Sequence, residues 1–310
     1  MNLSCKSALA LVLSYLASCG FALAADGSAP PKAPPVPLLW KVSDADNSIY
    51  LLGSFHMLQA SDYPLAQEVD TAFTDAETVL FEIPPAELQS AEMATKMAMA
   101  GMRTDGKQLQ DDLDSKTWAA LHAWARNNAL PLESLSRFEP WMVGLTVSVL
   151  EFTRQGLDPK LGLDMHFAQA AATAKKPVAG LETGDEQIAA LDGMDPDDQK
   201  QFLAEALDEA AKGSQESSRL HAAWRAGDAA GLLDGMATEM KREYPRLYQR
   251  INVQRNDRWL PKLARLLDES TDNDALVVVG ALHLLGSDGV VEKLRAKGYT
   301  VERICSACTK

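Results

Sequence analysis

Two of the five histidines in the chain share one short frame. The first reads Ser48-Ile-Tyr-Leu-Leu-Gly53-Ser-Phe-His56-Met-Leu and the second Leu276-Val-Val-Val-Gly280-Ala-Leu-His283-Leu-Leu. Each is an apolar run, a Gly-x-x-His and two more apolar residues. A glycine closing a strand lets the backbone turn sharply or approach a neighbour closely. Three residues on, an imidazole is set just past the strand end, where open α/β sheets bind ligands. Two such loops on neighbouring strands would aim both rings at one point. A single histidine in such a place is ordinarily a hydrogen-bonded, half-buried residue; the repetition of the frame favours a site. His122, His166 and His221 fall in helical stretches and read as ordinary helix residues.

Carboxylates occupy comparable places. Glu82 closes the run Thr78-Val-Leu-Phe, and Glu182 closes Pro177-Val-Ala-Gly-Leu. A charge at the end of a buried apolar strand is costly without a partner or a task. The alternative for each is a helix cap or a salt bridge. Two histidines and a glutamate are a common hydrolytic metal set that leaves coordination open for water. On that reading His56 and His283, with Glu82 as third ligand or as general base, hold a divalent cation. The segment Arg250-Ile-Asn-Val-Gln-Arg-Asn-Asp-Arg-Trp259 adds Arg255 and Asn256, which could bind a carboxylate or steady an oxyanion. Its alternative is a solvated charged face.

These residues need a frame to hold them. Strands are expected at Leu38–Val42 and Ser48–Leu52, joined as a hairpin by the turn Asp44–Asn47. Further strands read at Thr78–Ile83, Pro177–Glu182, Ala275–Val279 and Tyr299–Ile304, with helices at Ala66–Thr74 and Val290–Lys297. Between Pro85 and about Gly235 the pattern is mostly helical, and Trp141–Leu150 reads as a buried helix. The zone Ala237–Asp268 holds Pro245 and Pro261 and should be split or kinked. The fold class is therefore α/β: a mixed sheet built from N- and C-terminal strands, with a large helical middle, about 85–270, inserted as a lid or subdomain. Residues 38–310 read as one domain.

The N-terminus reads as an export signal. Lys6 precedes the apolar run Ala8–Leu16, and Ala22-Leu23-Ala24 offers cleavage before Ala25. A competing reading takes Leu16-Ala17-Ser18-Cys19 as a lipoprotein signal with Cys19 lipidated. Residues 1–24 are then the signal and 25–37, rich in Pro and Ala, an extended linker. No later run reaches the roughly 18 apolar residues of a membrane span. Contact with a membrane would come only through an anchor at Cys19. The terminal Cys305-Ser-Ala-Cys308 lacks the following helix of a redox motif, a second pair for zinc, and the histidine of haem attachment. It reads as a small local disulfide in an oxidising compartment, the periplasm or cell envelope.

The 310 residues, 46% hydrophobic and 24% charged, are globular in composition. Thirty Lys and Arg against 43 Asp and Glu give a net charge of −13, which disfavours generic nucleic-acid binding. It slightly favours cationic or neutral substrates. No H-E-x-x-H or G-x-S-x-G motif is present, so ordinary zincins and serine hydrolases find little support.

The motifs together resemble the TraB/GumN family, which includes the Tiki Wnt-cleaving proteases. The matching elements are Gly53-Ser-Phe-His56, Leu80-Phe-Glu82, Glu139-Pro-Trp141, Gly162-Leu-Asp164 and Gly180-Leu-Glu-Thr183 with Gln187. They continue with Arg255-Asn256-Asp257-Arg258-Trp259 and Val279-Gly-Ala-Leu-His283-Leu-Leu-Gly286. Each alone is weak; their order and spacing are specific. The export signal and terminal C-x-x-C also look like bacterial GumN-type members. The resemblance implies an exported metal-dependent hydrolase, peptidase-like, acting on a peptide or protein. Mn or Co is the ion associated with the animal proteases, and Zn is a further candidate. By position His56, Glu82 and His283 form the metal or catalytic set. Arg255 and Asn256 stand beside it or meet substrate, and Asp164 and Glu182 are supporting or structural residues. The alternative is a non-catalytic exported metal- or haem-binding protein, or a cell-envelope accessory protein, on the same scaffold.

Overall fold

The computed structural model describes residues 33–213, 215–269 and 273–308. The expected signal, Cys19 and the linker up to residue 32 lie outside the described residues. Six strands form one sheet in the order β4-β3-β5-β2-β1-β6. They are β1 (Leu39–Ser43), β2 (Ser48–Ser54), β3 (Thr78–Phe81), β4 (Val178–Gly180), β5 (Ala275–Gly280) and β6 (Thr300–Arg303). The expected hairpin is present: β1 pairs antiparallel with β2, and the Asp44 carboxylate accepts the Asn47 N–H in its turn at 3.1 Å. β2, β5, β3 and β4 are mutually parallel, and β1 alone runs against the other strands.

The sheet is mixed and draws its strands from both ends of the chain, as expected. Every residue of β2 and β5 is buried. This is why β5 reads as an unbroken apolar run: a central parallel strand is covered on both faces. Cover comes from helices that add to the same core. These are α1 (Gln67–Asp75), α5 (Leu163–Ala174), α8 (Gln215–Arg225), α9 (Gln254–Glu269) and α10 (Val290–Ala296).

The helical middle adds α2 (Ala91–Ala100), α3 (Ser115–Asn127), α4 (Pro140–Arg154), α6 (Gly184–Asp192) and α7 (Pro196–Lys212). It has a core of its own, in which Leu121 and Trp124 of α3, Val143 and Val147 of α4 and Leu203 and Leu207 of α7 meet. The zone holding two prolines is split, as expected, and the split falls at one of them. Pro245 does open a new helical turn after Tyr244, and residues Gln249–Val253 widen into a π-helix. Pro261, by contrast, lies inside the continuous α9. It denies a donor to the Asp257 carbonyl, and Asp257 is exposed, so water can take that bond. Cys305 and Cys308 form the expected local disulfide, with Cα atoms 5.4 Å apart. Among the described residues no helix is long and apolar enough to cross a membrane.

Candidate functional site

Four parallel strands end at the same edge of the sheet, and each delivers one candidate residue just past its end. β2 leads to His56, β5 to His283, β3 to Glu82 and β4 to Glu182. β2 and β5 are neighbours, with Ser54 opposite Gly280, so the two Gly-x-x-His frames leave the sheet side by side. The start of α9 brings Arg255, Asn256 and Trp259, the start of α5 brings Asp164, and α6 brings Gln187.

Glu82 is the hub. Its Oε1 accepts the Gly280 N–H at 2.8 Å and faces both imidazoles, 3.8 Å from His56 Nε2 and 3.9 Å from His283 Nε2. Its Oε2 accepts from Arg255 Nη2 at 2.6 Å and from Gln187 Nε2 at 3.3 Å. Burial opposes the charge of Glu82, but Arg255, with His56 and the Gly280 N–H, outweighs it and holds the carboxyl well below the usual range. Gly280 leaves space here: a Cβ would lie 2.9 Å from His56 Nε2 and 3.2 Å from Glu82 Oε1.

Each imidazole is oriented from behind by an oxygen. His56 Nδ1 donates to Asp164 Oδ2 at 2.8 Å, and Ser54 Oγ donates to the same oxygen at 2.6 Å. The Asp164 carboxylate beside the ring raises His56 to about 9. Gly162, just before α5, presses on this loop; a Cβ there would fall 2.1 Å from the His56 carbonyl oxygen. His283 Nδ1 pairs with Asn256 Oδ1 at 2.7 Å, while the Asn256 amide nitrogen donates to the Asp288 carbonyl at 2.8 Å. Arg255 Nη1 lies 3.1 Å from His283 Nε2. A guanidinium can only donate, so His283 Nε2 is the acceptor, Nδ1 carries the proton, and the ring is neutral. Burial agrees, pushing His283 down to about 3.

Arg255 also spans the second carboxylate. Its Nε lies 3.0 and 3.1 Å from the two Glu182 oxygens, and its Nη1 turns back to the Ile251 carbonyl at 3.2 Å, inside the π-helical turn. Trp259 donates to Glu182 at 3.2 Å and packs its ring 4.5 Å from His283 and 4.9 Å from the guanidinium.

His56, Glu82, His283, Arg255, Asn256, Asp164 and Glu182 thus meet in one polar network. Arg255 is buried, not part of a solvated charged face. The network adjoins a cleft of about 400 Å³ whose wall includes His56, Glu82, Asp164 and Gln187. His56 is the open member, its side chain 59% exposed. His283, Arg255, Asn256 and Glu182 are buried off the cleft wall. Sequence reasoning gave no separate role to Ser54, Gln187 or Trp259. Ser54 and Trp259 stand inside quoted motifs, so their closeness to the site was readable. Gln187, quoted beside Gly180–Thr183, reaches the site through the turn that starts α6.

The donors suit a divalent metal in kind: two imidazoles with Nδ1 tied to an oxygen and Nε2 turned toward one carboxylate oxygen. Their spacing as found is wider than the roughly 3.0–3.4 Å between ligands sharing a small ion, and Arg255 donates into His283 Nε2. Accordingly, among the described residues no group of three or more His, Cys, Asp or Glu stands ready to hold one.

Relatives of this chain are distant. The "Uncharacterized protein YbaP" of Escherichia coli (strain K12) is 23% identical over 246 residues, which cover 79% of this chain and 87% of that protein. Its namesake in Shigella flexneri matches to the same extent. No solved structure matches. The model of the TraB/PrgY/gumN family matches residues 38–303, a span that holds all six strands and every residue of the network. The chain belongs to the TraB/PrgY/gumN family.

Proposed function

We propose that the protein is an exported hydrolase of peptides or proteins that works with a divalent ion, Mn, Co or Zn, held by His56, His283 and Glu82. The observation that carries this reading is the convergence of both Nε2 atoms on Glu82 Oε1 beside a cleft. When bound, the ion would supply Lewis acidity and a more acidic water. The side chains supply the rest. Asp164 and Asn256 keep the two rings in the tautomer that leaves Nε2 facing Glu82. Glu82 is ionised and lines the cleft; where it is not itself a ligand, it can accept a proton from a water there. The donors of Arg255 are engaged by Glu82, Glu182, His283 and the Ile251 carbonyl, so it holds the site in place. Taking up an ion requires Arg255 to release His283 Nε2. The location we propose is the periplasm or cell envelope, with the lipid anchor at Cys19 as the alternative.

One observation favours a second reading. Arg255 compensates two carboxylates and satisfies His283, so the cluster is complete without an ion. That suits a non-catalytic envelope accessory protein on the same scaffold. Metal analysis of the purified protein, with His56→Ala and His283→Ala beside it, separates the two. The hydrolase reading expects stoichiometric metal that both substitutions remove, and cleavage of a peptide library stimulated by Mn, Co or Zn and lost in both variants. Metal retained in both variants, or no cleavage with any of the three ions, overturns it.

A further inference from the structure

The cleft is chemically two-sided. His56, Glu82, Asp164 and Gln187 form one connected polar patch on its wall. Much of the remaining lining is carbon: Phe81, Ile83, Leu88, Pro159, Met165 and Ala168. Leu88 is among the few large apolar side chains left exposed, at 44%. Gln89 and Met165 face one another from the two sides, Nε2 to Sδ 3.7 Å, so the turn Pro85–Leu88 and helix α5 set the width. A volume of about 400 Å³ lies in the size range of sites for short or small ligands, not of a docked domain. Sites of this kind combine apolar walls with a few convergent polar groups that fix orientation.

From this we infer that the cleft recognises an extended peptide through one bulky aliphatic or aromatic side chain, laid between Leu88 and Met165 next to the carbonyl presented to Glu82 and His56. That the occupant is a peptide, and that this carbonyl is the reacting one, rests on the hydrolase reading; the preference for a bulky apolar side chain rests on the carbon wall of the cleft. Charge sharpens the choice. An acidic side chain would meet Lys160 on the wall but also the Glu82 and Asp164 carboxylates, in a chain of net charge −13. A small side chain would leave the carbon wall in water.

The test uses labelled nonapeptides of Gly and Ser that differ only at the central residue: Leu, Phe, Ala, Asp or Lys. Binding to the purified protein is read by fluorescence anisotropy in EDTA, so that no turnover intrudes. Leu and Phe peptides are expected to bind about tenfold or more tighter than Ala and Asp peptides. Leu88→Asp and Met165→Asp are expected to erase most of that preference. Leu88 is exposed, so its variant keeps the fold, which circular dichroism verifies. Absence of saturable binding by the Leu and Phe peptides, equal affinity for all five, tightest binding of Asp or Lys, or a preference that survives both substitutions overturns the inference. Repeating the series with Mn, Co or Zn and following cleavage tests the hydrolase reading separately. Selective binding without cleavage under every ion sinks that reading and leaves this one standing.

Discussion

At the scale of single residues, the site depends on what stands behind each imidazole. Asp164 is the main cause of the raised His56 value, so Asp164→Asn should bring the His56 titration down from about 9 toward about 6.5. NMR of the ring Cε1–H in metal-free protein reads this directly; an unchanged midpoint would mean that Asp164 does not control the ring. Gly280→Ala places a methyl 2.9 Å from His56 Nε2. The ring is open to the cleft and can swing aside, so the fold should survive, while under the proposed hydrolase reading turnover falls about a hundredfold. Thermal melting beside a peptidase assay checks both halves. The repeated Gly-x-x-His was legible because strand end and imidazole lie three residues apart. The bond from His283 to Asn256 was not, since 27 residues separate them and only tertiary packing closes the gap.

At the scale of elements, the loop that carries His56 beyond β2 is anchored well away from the ring. Asp62, in the turn after His56, is fully buried and accepts from His221 Nε2 at 2.8 Å, from the Gln59 N–H at 2.7 Å and from Arg225. Arg225 also donates to the Ala33 carbonyl at 2.8 Å, and its own carbonyl accepts the Val36 N–H, so one cluster ties the loop, α8 and the N-terminal segment together. His221, read from sequence as an ordinary helix residue, is part of this anchor. Burial opposes the charge on Asp62, but the bonds from His221, Gln59 and Arg225 hold it below the usual carboxylate value. A depressed folded value stabilises above the unfolded pKa near 3.9 and fades as pH falls through the folded one. Asp62→Asn should therefore cost about 3–5 kcal/mol near neutrality, and the gap from wild type should narrow below about pH 4. Urea midpoints across pH 3–7 measure it; a gap independent of pH would refute the assignment. Strand positions were readable from apolar runs bounded by Gly, Pro and Asp. The π-helical turn before α9 was not, because widening one turn leaves no mark in the apolar period.

At the scale of the whole molecule, β5 is the strand that joins the rest. It lies between β2 and β3, which precede it by some two hundred residues and do not touch each other across it. A chain ending at Glu269 would keep the helical core around Leu121 and Leu203 but lose the centre of the sheet. Such a chain is expected to show helical circular dichroism without a cooperative urea transition for the sheet core, and rapid proteolysis near β2; a sharp wild-type transition would contradict this. That the sheet gathers strands from both ends was legible from the apolar runs at either side of a helical middle. Their order was not, since pairing depends on which runs are buried on both faces, and that is decided only after collapse.

The late place of β5 also has a consequence in time. A chain threading out from its N-terminus presents His56 and Glu82 first, yet neither finds its counterpart until residue 283 has emerged. Until then Glu82 lacks Arg255, the Gly280 N–H and His283, so in an unfinished or stalled copy the edge stays unorganised. Whatever chemistry the finished centre performs is withheld until the polypeptide has arrived whole.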